Sequence, residues 1–176
     1  MTSIDHYNFA SKKALVRVDF NVPLDDNGNV TDATRVVAAL PTIQYILEQG
    51  GSCVLMSHLG RPKGNDPKLS LKQIVPTLEK HLGKAIQFCD EVVGPKATAQ
   101  AAALASGEVL LIENLRFYEA ETKGDKDFSE ALSKLGTVYV NDAFGTAHRA
   151  HASTTIVAQF FPNKKCFGHL LAGEIT

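Results

Sequence analysis

Cysteine is scarce in this sequence, and none of the spacings that cysteine chemistry requires is present. Cys53, Cys89 and Cys166 are the three cysteines in 176 residues, and each is isolated from the others. Such a set argues against a disulfide framework and against a CxxC metal or redox motif. It predicts buried thiols in a reducing compartment.

Long apolar runs and an excess of one charge are missing as well. The N-terminal stretch MTSIDHYNFASKK contains no apolar segment typical of a signal peptide, and nowhere do 18 apolar residues follow one another. The net charge is −1 at pH 7, and 44% of the residues are hydrophobic. These values predict one cytoplasmic globular domain with no membrane or nucleic acid partner. Any anion site must then come from a local arrangement of side chains.

The common nucleotide-binding turns and metal motifs are also absent. Neither GxxxxGK[ST] nor GxGxxG occurs, HExxH is missing, and no histidine has a recognisable triad spacing to Ser or Cys. The sequence therefore predicts no metal site and gives little support to a nucleophilic hydrolase.

What the sequence does contain is an alternation of short apolar runs and helical patterns. The runs predict five strands: Lys13–Phe20, Ser52–Ser57, Ala85–Cys89, Val109–Asn114 and Thr137–Asn141. They show little polar alternation, as expected of parallel strands that helices cover on both faces. We predict an α/β, doubly wound (Rossmann-like) fold with a mostly parallel sheet and helices on both faces.

Four segments between these runs have helical spacing and terminal signals. Thr34–Gln49 contains Pro41, which predicts a kink. The other three are a helix from the N-cap Ser70 to Gly83, the Ala-rich Gly94–Ser106 with Pro95 near its first position, and a helix to Leu135 opened by an Asp127-x-x-Glu130 capping box.

Basic side chains follow the predicted strands. Four of the five arginines come soon after a strand, and the fifth, Arg17, lies within one: the four are Arg35, Arg61, Arg116 and Arg149. Ligands of open parallel sheets bind beyond the carboxyl ends of the strands. The planar guanidinium matches phosphate and carboxylate oxygens, so this edge of the sheet predicts an anion site.

Local ion pairs are the alternative explanation for these arginines. Arg61 could pair with Asp66, and Arg116 with Glu113 or Glu119. Two like charges 6 Å apart repel by roughly 3 kcal/mol at an effective dielectric near 20. A cluster of four would therefore not be favoured by stability alone, whereas a bound dianion would offset the repulsion.

Five blocks of this sequence resemble the N-terminal domain of the phosphoglycerate kinases. They are VRVDFNVPLD, VTDATRV, SHLGRPKG, ENLRFYEAE and VNDAFGTAHRAHAS, in the family's order between residues 16 and 153. The resemblance implies a glycolytic, usually monomeric enzyme of two domains joined by a hinge. In that family the N-terminal domain holds 3-phosphoglycerate or 1,3-bisphosphoglycerate, and the C-terminal domain holds Mg-ATP or Mg-ADP.

The resemblance also assigns roles by motif. Asp19 and Asn21 would contact the hydroxyl and carboxyl end of the substrate, and Arg35 would be catalytic, facing the transferring phosphoryl group. The 3-phosphate would be gripped by a set drawn from three blocks: His58, Arg61, Arg116 and Arg149. His148 and His151 would complete a basic patch around it.

The nucleotide half of the family is not matched in this sequence. The family's GGAKV-type motif does not occur, and a whole enzyme needs about twice this length. We therefore expect residues 1–176 to form the substrate-binding domain alone, binding 3-phosphoglycerate without turning it over and carrying no cofactor. Two alternatives are a stand-alone small-anion-binding module and a structural protein that uses the same fold for a macromolecular partner.

Overall fold

One parallel sheet organises the residues described by the structure, a computed structural model covering 2–143 and 150–168. Within them the strands are β1 (Thr2–Ser3), β2 (Lys13–Arg17), β3 (Ser52–Met56), β4 (Gln87–Cys89), β5 (Val109–Ile112), β6 (Val138–Asn141) and β7 (Lys165–Phe167). Their order across the sheet is β1-β7-β6-β2-β3-β5-β4, and every neighbouring pair is parallel.

Helices connect the strands. They are α1 (Thr34–Glu48), α2 (Val75–Leu82), α3 (Pro95–Ala102), α4 (Glu119–Lys123) and α5 (Lys126–Ser133), with short 3-10 turns between several of them. α1 continues through Pro41, and the carbonyl that Pro41 leaves without an N–H donor belongs to Val37, the exposed apolar residue of the helix. None of these helices is long and apolar enough to cross a membrane.

The helices cover both faces of the sheet, which confirms the predicted doubly wound class. Alternate residues of β2 point to opposite sides: Ala14 and Val16 pack in one apolar core, and Leu15 packs in the other. α1 and α2 contribute to the first core, while α3 and α5 contribute to the second. A strand buried on both sides must be apolar throughout, which is why the strands show so little alternation.

The predicted helices and strands are present with shorter bounds. β2 ends at Arg17 rather than Phe20: the Val18 N–H still donates to the Met56 carbonyl (3.0 Å), but the Phe20 N–H donates to the Ser57 hydroxyl (2.9 Å) and not to a neighbouring strand. Gly83 ends α2 in the left-handed region, with φ of 73°, as the sequence predicted. Ser70 instead caps a 3-10 turn, Leu71–Ile74, that precedes α2.

The capping-box prediction for α5 was wrong. The N-cap is Asp125, whose carboxylate accepts from the Phe128 N–H at 2.8 Å, so Asp127 lies inside the first turn. The sequence interpretation also missed α4 and the two short strands β1 and β7, which pair with each other.

Candidate functional site

Four neighbouring strands bring the predicted site residues to one edge of the sheet. β6, β2, β3 and β5 are adjacent, and their registers align Arg17 with both Met56 and Asn141 at the strand ends. The segments beyond these ends carry most of the predicted site: Asp19 and Asn21 after β2, His58 and Arg61 after β3, and Arg116 after β5.

Asp19, Asn21 and Arg35 form one connected group. The Arg35 guanidinium donates to the Asn21 carbonyl and lies 3.6 Å from Asp19 Oδ1. Asp19 Oδ1 also accepts from the Asn21 N–H at 3.1 Å. The Arg35 side chain is 53% exposed and the Asp19 side chain 14%, so the guanidinium contacts a mostly buried carboxylate while the arginine side chain stays open to solvent.

Asn21 also joins this group to the loop after β3. Its Oδ1 accepts from the Gly60 N–H at 2.8 Å. Gly60 has φ of 63°, and a Cβ there would lie 3.0 Å from Leu69, so the tight approach of this loop favours glycine. The loop that carries His58 and Arg61 is thereby fixed against the segment after β2.

His58 is buried, at 5% exposure, and contacts a buried arginine. Its Nδ1 lies 2.9 Å from Arg17 Nη2. Burial first, and then the nearby charges of Arg17, Arg116, His151 and Arg35 in that order, together lower the pKa of His58 to about 3. The imidazole is therefore neutral at physiological pH and surrounded by basic groups.

Arg17 is fully buried and fully engaged. Its Nε donates to Ser153 Oγ at 2.8 Å, and Nη1 donates to the Val18 carbonyl. Ser153 Oγ in turn donates to the fully buried Glu121 carboxylate, which also accepts from the Ser153 N–H at 2.9 Å. Burial lowers the pKa of Arg17, and the Glu121 charge opposes that shift. Arg17 and Glu121 thus form an ion pair bridged by a hydroxyl.

Arg61 and Arg116 line the same cavity of about 640 Å³. Lys63 and Tyr118 lie on its wall as well.

The alternative of local ion pairs is weakened by the engagement of the candidate carboxylates. Glu119 pairs with Lys123 at 3.2 Å.

Glu113 and Asp66 are engaged too. Glu113 Oε1 accepts from the Leu71 N–H at 2.9 Å, and Oε2 accepts from the Ser70 hydroxyl at 2.7 Å. Asp66 Oδ1 accepts from the Lys68 N–H at 3.0 Å. These two carboxylates hold the turns between residues 66 and 71 in place.

Asn114 fixes the two loops that carry these arginines. Its Oδ1 accepts from the N–H groups of Leu59 (3.2 Å) and Arg116 (3.0 Å). Its Nδ2 donates to the carbonyls of Leu59 (2.8 Å) and Leu69 (2.9 Å). One fully buried amide therefore spans three loop segments.

Two of the predicted basic residues, His148 and Arg149, lie outside the described residues. His151 is described: it is 9% exposed and close enough to contribute to the electrostatic environment of His58. The sequence interpretation missed Arg17 as part of this arrangement. A lone arginine inside the apolar run KALVRVDF was the available signal, because a buried guanidinium requires partners.

A metal site is not among the features of this edge. In residues 2–143 and 150–168 no three His, Cys, Asp or Glu side chains come together in a way that could hold a metal ion. The chemistry available here is recognition of an anion by guanidinium, imidazole and amide groups.

Comparisons with known proteins agree with this description. The family model "Phosphoglycerate kinase" matches residues 4–176. A cytosolic phosphoglycerate kinase of Arabidopsis thaliana is 55% identical over 85% of this chain and 37% of its own length. A chloroplastic phosphoglycerate kinase from the same plant is 49% identical over 99% of this chain and 36% of its own length. The crystal structure of phosphoglycerate kinase from Pyrococcus horikoshii has a TM-score of 0.90 at 33% identity and covers 99% of this chain and 44% of that one. The chain spans less than half the length of these relatives.

Proposed function

We propose that this chain, which belongs to the phosphoglycerate kinase family, holds 3-phosphoglycerate or 1,3-bisphosphoglycerate at the edge formed by β6, β2, β3 and β5. The intact enzyme would transfer a phosphoryl group reversibly between ATP and the carboxylate of 3-phosphoglycerate. The observation that carries this proposal is the convergence at that edge of Arg35, His58, Arg61 and Arg116, which come from three separate strand ends.

The phosphate end of the substrate is assigned to the cavity that Arg61 and Arg116 share. Two guanidinium groups on one cavity suit a dianion, because each charge-assisted hydrogen bond to it contributes about 1.5–3 kcal/mol. His58 lies in the same basic environment and would donate a further hydrogen bond. His148, Arg149 and His151 are proposed to complete this patch.

The carboxyl and hydroxyl end is assigned to Asp19 and Asn21. Because Asn21 Oδ1 accepts from Gly60, its Nδ2 is the atom that can donate to a substrate oxygen. No general base is required for the transfer, since the attacking carboxylate is ionised near neutral pH. Asp19 is therefore a positioning acceptor, and it also orients Arg35.

Arg35 is the proposed catalytic residue. Phosphoryl transfer passes through a state in which negative charge is spread over the transferring group, and catalysis rests on positioning and electrostatic stabilisation. The Arg35 guanidinium is held by Asp19 and the Asn21 carbonyl, and the Arg35 side chain is half exposed. That arrangement lets the guanidinium meet a phosphoryl group presented from outside this domain.

The Mg-nucleotide is assigned to the part of the longer relatives that this chain does not span. The described residues do not fit a metal-nucleotide site, since they contain no metal-ligand cluster and the sequence has no P-loop. We therefore expect binding of 3-phosphoglycerate without turnover by these 176 residues.

Titration calorimetry with 3-phosphoglycerate tests the proposal. Arg116→Ala and Arg61→Ala should each weaken binding about ten- to a hundredfold, the equivalent of one charge-assisted contact. The control is Lys134→Ala: Lys134 is an exposed cation close to Thr137, at the opposite edge where β2 and β6 begin. It should leave the affinity unchanged, although all three variants lose one positive charge.

Equal losses in the three variants would contradict a converging site. Inorganic phosphate binding as tightly as 3-phosphoglycerate would favour the general anion-binding module instead. ATP-dependent product formation by the purified chain in a coupled assay would overturn the assignment of the nucleotide elsewhere.

A further inference from the structure

Arg17 is a buried charge to which the proposed roles above assign no task. It ends β2, is completely inaccessible to solvent, and yet lies in the middle of the group of strands that forms the site. A buried guanidinium is costly to maintain, because its desolvation must be offset by partners on every nitrogen. What it contacts therefore indicates what it does.

Each nitrogen of Arg17 has a different kind of partner. Nε donates to Ser153 Oγ, Nη1 donates to the Val18 carbonyl, and Nη2 lies 2.9 Å from Nδ1 of His58. The first two contacts could be made by any buried arginine. The third connects the buried network to a residue that we have placed at the substrate.

The contact with His58 determines which imidazole nitrogen carries the proton. Arginine has donors and no acceptor, and it stays protonated in proteins. Nδ1 must therefore accept, which leaves the proton of a neutral imidazole on Nε2. The charges that face His58 come from every side: Arg17 on β2, Arg35 at the start of α1, Arg116 after β5, and His151. All are basic, and they disfavour a second proton on the ring.

The charge of Arg17 is balanced away from the substrate side. Glu121 of α4 reaches it through Ser153, and Ser153 lies in the helical turn Ala152–Ile156. Arg17 can therefore present a donor to His58 while its compensating carboxylate stays in the core. This separation gives the arginine a second task beside its structural one.

We infer, resting on the proposed function, that Arg17 is a positioning residue that fixes His58 as the Nε2–H tautomer, so that His58 donates one directed hydrogen bond to the anionic substrate. His58 would then act as an oriented neutral donor among cationic side chains. An arginine with a purely structural task would hold the fold but leave the tautomer of His58 undetermined.

The experiment compares the wild type with the double variant Arg17→Met/Glu121→Gln and the single variant Ser153→Ala. The double variant removes both members of the buried ion pair, so no uncompensated charge remains. Ser153→Ala is the matched control, since it disturbs the same network and keeps the contact between Arg17 and His58. The measurements are the nitrogen-15 chemical shifts of His58 without ligand and the affinity for 3-phosphoglycerate from pH 5 to 8.

We expect an unprotonated Nδ1 and a protonated Nε2 on His58 in the wild type and in Ser153→Ala. In the double variant we expect a mixture of tautomers and, at pH 8, an affinity about tenfold lower than that of Ser153→Ala. Because both variants bind the same ligand, the titration of the ligand phosphate cancels in the ratio of their affinities. This ratio should move towards one as the pH falls, because His58 gains a proton more readily without Arg17. That proton adds a hydrogen-bond donor and a positive charge at the site.

Three results would overturn the inference. They are a protonated Nδ1 in the wild type, an unchanged tautomer in the double variant, and a ratio of affinities that stays near one at all pH values. The wild-type spectrum decides even if the double variant does not fold. Failure of the wild type to bind 3-phosphoglycerate would instead refute the proposed function, and the ligand-free spectra would still show whether Arg17 sets the tautomer.

Discussion

Asn114→Ala should be among the most damaging single substitutions outside the apolar cores. The side chain is fully buried and makes four hydrogen bonds, two as acceptor from Leu59 and Arg116 and two as donor to Leu59 and Leu69. Alanine removes the amide and all four hydrogen bonds at once. The backbone groups that were bonded to it then lie where water reaches them poorly.

The magnitude follows from that count. A buried hydrogen bond contributes about 1 kcal/mol net, so the four together predict a loss of about 4 kcal/mol in the free energy of unfolding. The free energy of unfolding of a domain is about 5–15 kcal/mol in total, so the variant should still fold at low temperature. With a urea m value of about 2 kcal/mol/M, the midpoint of unfolding should fall by about 2 M.

Urea unfolding followed by circular dichroism measures this shift, and Asn29→Ala is the control. Asn29 is an exposed loop residue whose Nδ2 donates to Asp25 Oδ2 at 3.2 Å, a contact that solvent can replace. Its loss should lower the midpoint by a small fraction of the Asn114→Ala effect. A second readout is affinity, since the Leu59–Arg61 segment loses its anchor and should bind 3-phosphoglycerate more weakly. If the two asparagine variants unfold at the same urea concentration, the buried amide does not fix these loops.

Two further predictions concern a helix cap and a buried titration. Asp125→Ala should destabilise the protein by about 1 kcal/mol through loss of the cap on Phe128 N–H, and Asp127→Ala should do so by much less; equal shifts in thermal unfolding would contradict the assignment of the cap. His58 has a pKa of about 3 in the folded state, against 6.5 for an exposed histidine. Between these two pH values the unfolded state binds a proton that the folded state does not. The contribution of His58 to the free energy of unfolding therefore falls as the pH falls, by about 1.4 kcal/mol per pH unit. Denaturation from pH 7 to 4 should show a shallower decline for His58→Gln than for the wild type, and equal slopes would contradict a neutral, buried His58.

The sequence predicted the central sheet because its strands are apolar on both faces. Each of the five predicted strands is present with shorter bounds, and at Phe20 a side chain, the Ser57 hydroxyl, accepts the backbone N–H in place of a neighbouring strand. β1 and β7 were missed because Thr2–Ser3 is polar and Lys165–Phe167 contains only two apolar residues, so neither forms an apolar run. The cap of α5 was misplaced because Asp125 and Asp127 both satisfy the cap preference, and they are distinguished by the folded backbone and the Phe128 N–H bond to Asp125.

The candidate site was predictable in its location more than in its internal connections. Arginines after successive strands must meet when the strands are parallel and adjacent, so Arg61 and Arg116 could be grouped from sequence. The link from Arg17 to Ser153 joins residues 136 positions apart. No local pattern encodes such a pairing. The binding role of the grouped residues stays a prediction until the ligand is titrated.

The position of β2 has a consequence for synthesis of the chain. β2 pairs with β3 on one side, but its other neighbour is β6, and β6 is followed in the sheet by β7 and then by β1. A nascent chain synthesised as far as Cys89 can already pair β2 with β3. It can pair β2 with β6 only after Val138–Asn141 has been synthesised. During that interval one edge of Lys13–Arg17 has unpaired backbone N–H and C=O groups. Such an edge favours aggregation of incomplete or truncated chains.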